Sequence, residues 1–234
     1  MHLSFKKVIE RIDEIGGGLR LIQEKGAFAL GADAVLLCKF VSLKRGDRVI
    51  DLGTGTGPIP LLLTLRKKLK SITALELQPG LAALCRRSVA LNGLEEKIQV
   101  VEGDIRKVRA LFPAESYDLA ICNPPYQPLT GSRLSARNAV AIARHELCCC
   151  LEDVAQAFAW LVRYGGKVAL VHRPHRLGDI FYSFRQNGLE VKRMQFVYPR
   201  PQREASMVLV EAEKGAKPGL RTLAPLVLRG GGED

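Results

Sequence analysis

Four adjacent residues, Asn123-Pro124-Pro125-Tyr126, place two hydrogen-bond acceptors beside a flat ring. Two prolines fix the backbone and cannot donate, so the Asn123 side-chain oxygen and the Pro124 carbonyl can face outward together as acceptors. Such a pair matches a planar NH2 group, of the kind found on adenine or on a glutamine amide. Tyr126 adds a face on which a base could stack. Asn-Pro also opens ordinary turns. Its place at the end of an apolar run, on the same sheet edge as a glycine loop, argues for chemistry instead.

That loop is Asp51-Leu52-Gly53-Thr54-Gly55-Thr56-Gly57. Glycines there let the backbone approach a ligand closely, and a following helix start offers unpaired N–H groups. The spacing is GxGxG, not the GxGxxG of dinucleotide loops, and no Gly-Lys-Ser/Thr follows as in a phosphate-binding P-loop. Pro58 suits a first helical turn, where its missing N–H costs nothing. Glu76, ending the next apolar run beside Leu77, is placed to accept from two ribose hydroxyls. Nicotinamide and adenosyl cofactors both ask for such an acid, so Glu76 does not choose between them. Asp104, ending the third run, suits the exocyclic amine of an adenine, with Ile105 beside it against the ring.

The elements that must position these residues alternate as short apolar strands and helical stretches, the signal of a parallel sheet with crossover helices. Strands are expected at 48–52, 72–77, 98–104, 117–126 and 167–173. Helical spacing runs through 58–70, through 80–93 up to Asn92-Gly93, and through 154–166, which ends in two glycines. Two further runs, joined by 200–204, predict an antiparallel hairpin at the sheet edge. Residues 16–41 read as a small β-hairpin leading into a helix from about Ala32, with Asp33 in its first turn. One domain is expected: an N-terminal hairpin and helix over about 1–47, a core over about 48–214, and an irregular tail over about 215–234.

Composition narrows the classes. The 234 residues carry 35 Lys plus Arg against 24 Asp plus Glu, a net charge of +11, and 47% of them are hydrophobic. This is the composition of a globular chain, and the charge makes a polyanion a fair first guess for a partner. The excess is spread along the chain and forms no basic tail. No apolar run approaches the roughly 18 residues of a membrane span, and the N-terminus lacks a signal-like apolar core. Six cysteines include no CxxC pair, and Cys148-Cys149-Cys150 cannot form a regular set of bridges. Reduced thiols in a cytoplasmic protein without a metal are therefore expected.

The pair DLGTGTG and NPPY resembles the class I S-adenosylmethionine-dependent methyltransferases that modify amino nitrogens. More narrowly, GGLRLIQ, FALGADAVLL, NPPY, AIARHEL, EASMVLVE and KPGL are similar to the bacterial valine-tRNA adenine-N6 methyltransferase family, from about Arg11 to Leu228. That family methylates the adenosine immediately 3′ of the anticodon. The resemblance implies a Rossmann-like α/β fold: a mostly parallel seven-stranded sheet, an antiparallel edge hairpin and helices on both faces. It implies S-adenosylmethionine held by Phe28, Gly31, Asp33, Asp51, Gly53, Gly55, Gly57, Glu76, Leu77, Asp104, Ile105 and Asn123. Asn123, Pro124 and Tyr126 would act on the substrate amine. Pro125, Tyr126, Arg133, Arg137, Arg144 and His145 would meet the anticodon stem-loop of a tRNA, with Lys25, Arg173 and Arg176 guiding its backbone.

Two departures stand out: Pro58 replaces an aliphatic residue, and the 127–139 segment is idiosyncratic. Other amino-nitrogen acceptors, a ribosomal RNA base or a protein glutamine amide, share the NPPY logic. Glutamine-modifying enzymes, however, carry a sizeable helical domain ahead of the core, and only 48 residues precede Val49. A nicotinamide-dependent oxidoreductase is disfavoured by GxGxG and by NPPY.

Overall fold

The computed structural model describes residues 10–24, 31–66, 68–124 and 150–228. Seven strands make the body of the sheet: β3 (Arg48–Leu52), β4 (Ser71–Glu76), β5 (Ile98–Glu102), β6 (Tyr117–Cys122), β7 (Val162–His172), β8 (Leu189–Tyr198) and β9 (Met207–Lys214). Their spatial order is β5-β4-β3-β6-β7-β9-β8, all parallel except β9, which runs antiparallel to both β7 and β8. The edge hairpin expected from the sequence is thus present, with β9 as its inner strand. Strands such as RVIDL are apolar throughout because helices cover both faces of a parallel sheet.

One face is packed by α1 (Ala32–Phe40), α2 (Pro58–Thr64) and α3 (Pro79–Leu91), with Leu37, Leu61, Leu63, Val49 and Ile72 in its core. The other is packed by α4 (Val108–Leu111), α5 (Leu151–Leu161) and α6 (Leu177–Gln186), around Phe158, Phe184, Ile50 and Leu52. Alternation along each strand assigns neighbours to opposite cores.

Several boundaries differ from the sequence expectation: β5 stops at Glu102 and not 104, and β6 at Cys122, ahead of Asn123-Pro124. The helix expected over 58–70 stops at Thr64, because Leu69 is drawn into the core and Lys70 N bonds Asp47 O on the way into β4. The helix expected to reach 166 ends at Leu161. Gly165, at φ 69°, and Gly166, whose Cβ would fall 2.7 Å from Arg163 O, instead shape an irregular start to β7. The register against β6 shifts there, as at a bulge.

The N-terminal hairpin lies earlier than expected, as β1 (Glu10–Glu14) and β2 (Arg20–Glu24), with Gly16, Gly17 and Gly18 as its turn. It sits on α3, where Ile22 N donates to Ser88 Oγ at 3.0 Å and Asn92 Oδ1 accepts from Arg20 N at 2.9 Å. Finally, the tail expected to be irregular contributes β10 (Arg221–Thr222) and β11 (Leu226–Val227), both parallel to β8. They cover an edge that would otherwise expose unpaired backbone groups. Two-residue strands carry no periodicity to read. Among the described residues no helix is long and apolar enough to cross a membrane.

Candidate active site

The C-terminal ends of β3, β4, β6 and β7 form one edge, and Gly53, Gly55, Glu76 and Asn123, among the described residues singled out from the sequence, lie along it. After Leu52 the chain turns through Gly53, Gly55 and Gly57 at φ 71°, 61° and 92°, the left-handed region that favours glycine. Gly53 N and Thr54 N both donate to Leu75 O, at 2.9 and 3.0 Å, which straps the loop to β4. A Cβ on Gly53 or Gly55 would meet nothing within 4 Å, so these two border open space. On Gly57 it would lie 2.5 Å from Cys85 Sγ. That glycine lets α2 close onto α3.

Two buried acids flank the loop. Glu76 ends β4, where its Oε2 accepts from Gly55 N at 2.8 Å and its Oε1 from Gln78 N at 2.9 Å. Asp51 is 1% exposed, and among the described residues its carboxylate oxygens and Thr54 Oγ1 lack a well-formed hydrogen-bond partner. Burial pushes the Asp51 carboxyl up to about 7; the nearby Thr54 hydroxyl pulls it down in part, and the Glu76 charge adds to the rise. Burial likewise pushes Cys85 up to about 12, with the Asp51 charge adding to it, so that thiol stays protonated. A buried carboxylate without a partner is costly, and a ligand bearing N–H or positive charge would complete it. A ribose would find acceptor capacity on Glu76, since each carboxylate oxygen can take more than one donor. Nothing in the sequence singles out Thr54; only its burial does.

Asn123 and Pro124 follow β6. Leu119 and Ile121 belong to the core under α1–α3, so alternation turns Asn123 toward the same side. There Asn123 Nδ2 donates to Asp33 Oδ2 at 3.2 Å, while Asp33 Oδ1 accepts from Ala34 N at 2.9 Å. An ionised carboxylate only accepts, so the amide nitrogen must be the end on Asp33, and Oδ1 keeps the acceptor role. Gly31 makes room, because a Cβ there would fall 2.1 Å from Asp33 Oδ1.

Helix α1, which carries Asp33, is itself anchored at its far end. Glu211, 1% exposed on β9, accepts from Ser42 N at 2.7 Å, Ser42 Oγ at 2.9 Å and Arg193 Nη1 at 3.0 Å. Arg193 also donates to Phe40 O at 3.1 Å and stacks over the Phe40 ring at 4.8 Å.

Asp104 is engaged differently from the expectation. Its carboxylate caps the turn at 105–107 and holds Arg106, with Nη2 to Oδ2 at 2.6 Å and Arg106 N to Oδ1 at 2.9 Å. The Arg106 guanidinium keeps it below the usual carboxylate range. An adenine amine would have to compete with that arginine. Ile105 packs against the second core, and Leu77 is half-buried just beyond β4.

His172, ending β7, is buried, and its Nδ1 accepts from Arg173 N at 2.8 Å, which leaves the proton on Nε2. Burial, then the charge of Arg176, pushes it down to about 4, so it is neutral near pH 7. Phe28, Pro125, Tyr126, Arg133, Arg137, Arg144, His145 and Lys25 lie outside the described residues. Among the described residues, no group of three or more His, Cys, Asp or Glu could hold a metal ion.

A doubly wound sheet with a glycine loop, a strand-end acid and an Asn-Pro edge defines a methyltransferase of the class I fold. The chain belongs to the methyltransferase small domain family, which matches it over residues 18–148. Among curated relatives, a protein of Trichodesmium erythraeum (strain IMS101) named tRNA1(Val) (adenine(37)-N6)-methyltransferase is 27% identical over 84% of this chain and 82% of its own. A Shewanella sp. (strain MR-4) protein of the same name is 30% identical over 73% of this chain and 67% of its own. Among solved structures, one described as a predicted O-methyltransferase from Agrobacterium tumefaciens superposes with a TM-score of 0.68 at 27% identity, covering 83% and 86% of the two chains. A geranyl diphosphate methyltransferase in complex with SAM shares the fold at a TM-score of 0.59 and 13% identity, over 77% and 84%.

Proposed function

We propose that this protein transfers a methyl group from S-adenosylmethionine to the exocyclic N6 of an adenosine in tRNA, the adenosine 3′ of the anticodon of a valine tRNA. The observation that carries the reading is the Asp33–Asn123 hydrogen bond, which takes up the Asn123 amide nitrogen, so that the amide oxygen and the carbonyl of the next residue, Pro124, would be the two acceptors. The shared name of the relatives supports the substrate, and the protein would then work in the cytoplasm, where tRNA is.

The residues at the edge fit the cofactor. Glu76 would take the ribose hydroxyls, and the orphaned Asp51 carboxylate with Thr54 would meet its cationic end. Gly53 and Gly55 leave the open space beside the loop. When bound, S-adenosylmethionine supplies a methyl group already activated on a sulfonium, so the protein has to position and polarise.

Adenine N6 is a weak nucleophile because its lone pair is delocalised into the ring. Asn123 Oδ1 and the Pro124 carbonyl, accepting from its two N–H groups, would draw that lone pair out of the plane. They also stabilise the positive charge that grows on nitrogen as the N–C bond forms. One N6 proton then leaves to solvent, and no side-chain base is required. The base must be splayed out of its loop to reach the edge, with Pro125 and Tyr126 as its proposed contacts.

The decisive assay is labelled S-adenosylmethionine with total tRNA lacking N6-methyladenosine, followed by nucleoside analysis. Label in N6-methyladenosine of valine tRNA is expected. Label in N2-methylguanosine, or in protein alone, would overturn the proposal. So would an Asn123→Ala protein that binds cofactor and turns over normally.

A further inference from the structure

Among the described residues, several basic side chains at the edge away from the candidate site are held by acids, while Lys44 and Arg45 there are exposed. Asp118 takes both Arg48 and Arg163, at 3.4 and 2.7 Å. Glu115 takes Lys214 at 3.0 Å, and Glu190 takes Arg185 at 3.1 Å. At the candidate-site edge two segments leave side by side: 173–176 after β7, and 199–206 between β8 and β9. They are joined by Arg173 Nη1, which donates to Ser206 O at 2.9 Å.

In the second segment Arg200 and Arg203 are exposed and make no ion pair with any described residue. Their backbone is closed by a turn in which Arg203 N bonds Arg200 O at 3.4 Å and Gln202 takes a φ of 63°. With Pro199, Gln202 and Glu204 they line an open concavity of about 610 Å³. In the first segment His175 is exposed, and Arg176 is held by Asp179 at 2.6 Å. Glu204 is the acid of the second segment and Asp179 sits in the first turn of α6; neither is in an ion pair with Arg200 or Arg203.

We propose that the 199–206 loop, through Arg200 and Arg203, grips the sugar-phosphate backbone of the substrate RNA beside the splayed base. This deepens the function proposed above and rests on it. Three strand spacings separate β6, which Asn123 follows, from β8, or roughly 14 Å across the sheet. A base drawn out of its stack leaves its flanking backbone at the rim of the pocket, and an open cationic concavity at this range fits phosphates there.

The test compares two charge-reversal doubles of equal charge change: Arg200→Glu with Arg203→Glu, and Lys44→Glu with Arg45→Glu in the exposed turn at the opposite edge. An unmodified valine tRNA transcript serves as probe for KM, and the same transcript, fluorescently labelled, for direct binding. The rim double should raise KM and the RNA Kd at least about tenfold at moderate salt and lower the salt slope by about 2. Its cofactor affinity should stay that of wild type. The opposite-edge double should shift both RNA parameters less than about twofold. Equal effects of the two doubles, or a rim double with wild-type RNA affinity, would refute the loop assignment. If wild type binds the transcript but methylates no adenosine in it, the function fails, while the binding comparison still decides the loop.

Discussion

Asn123 Nδ2 donates to Asp33 Oδ2 across 3.2 Å, joining residues ninety positions apart in the chain. Helix α1, outside the sheet, thereby sets the orientation of an amide at the end of β6. Removing the carboxylate takes this restraint off the amide and lets its NH2 compete for the place where an acceptor is needed. Asp33→Ala should therefore lower kcat by roughly 10- to 100-fold, the cost of misplacing a reacting group, with a smaller change in cofactor Kd. Single-turnover rates and calorimetric Kd separate the two. A rise in Kd with kcat intact at saturation would mean that Asp33 serves the cofactor alone.

Asp51 links cofactor binding to pH. Its carboxyl is up at about 7 in the folded chain against an ordinary 3.8, so the native state holds a proton that the unfolded chain releases. Stability contributed through Asp51 therefore falls as pH rises from about 4 to 7 and stays low above that. A cationic ligand prefers the ionised form, so its affinity should rise through the same region while binding releases a proton. Calorimetry in buffers of different ionisation enthalpy reads that proton. Asp51→Asn should abolish its release, weaken binding, and raise Tm relative to wild type at about pH 8 but not at about pH 4.

Gly57 is held at φ 92° with Cys85 Sγ occupying the space a side chain would need. Gly57→Ala should cost roughly 2–4 kcal/mol in denaturant unfolding, the sum of left-handed strain and overpacking. Adding Cys85→Ala should return the packing share only. Full recovery in the double variant would show that backbone conformation contributes nothing there.

Glu211 anchors the far end of α1 to β9, and its loss leaves Ser42 N without its acceptor and the Arg193 guanidinium without its carboxylate. Glu211→Ala should destabilise by roughly 3 kcal/mol. The double change Glu211→Leu with Arg193→Leu should recover much of it, since no buried charge is left uncompensated. Unfolding curves measure both. Protease cutting near α1 in the single variant, at concentrations that spare wild type, would report the loosened helix.

The strand-and-helix alternation, the glycine loop and the strand-end Glu76 were all legible, because each is a local pattern of a few residues with a fixed period or a fixed turn. Boundaries were less so. The 58–70 pattern stays helical in period, yet Leu69 is worth more to the core than to the helix, and only the packed core decides that. In the 154–166 pattern the glycines at 165 and 166 read as a helix end, whereas pairing with β6 makes them part of a strand.

The candidate site divides the same way. Sequence alone determined the chemistry that is present: an acceptor pair in Asn123-Pro124, a GxGxG loop, and acids at strand ends, since residue types and their spacing along one strand suffice for that. The tertiary structure decided how those groups are engaged. It turned Asn123 by means of Asp33, spent Asp104 on Arg106 and, among the described residues, left Asp51 without a well-formed partner and Arg200 and Arg203 without an ion pair. Hydrogen bonds and ion pairs depend on which side chains distant in sequence meet, and that is set by the packing of helices on the sheet, which no local pattern encodes.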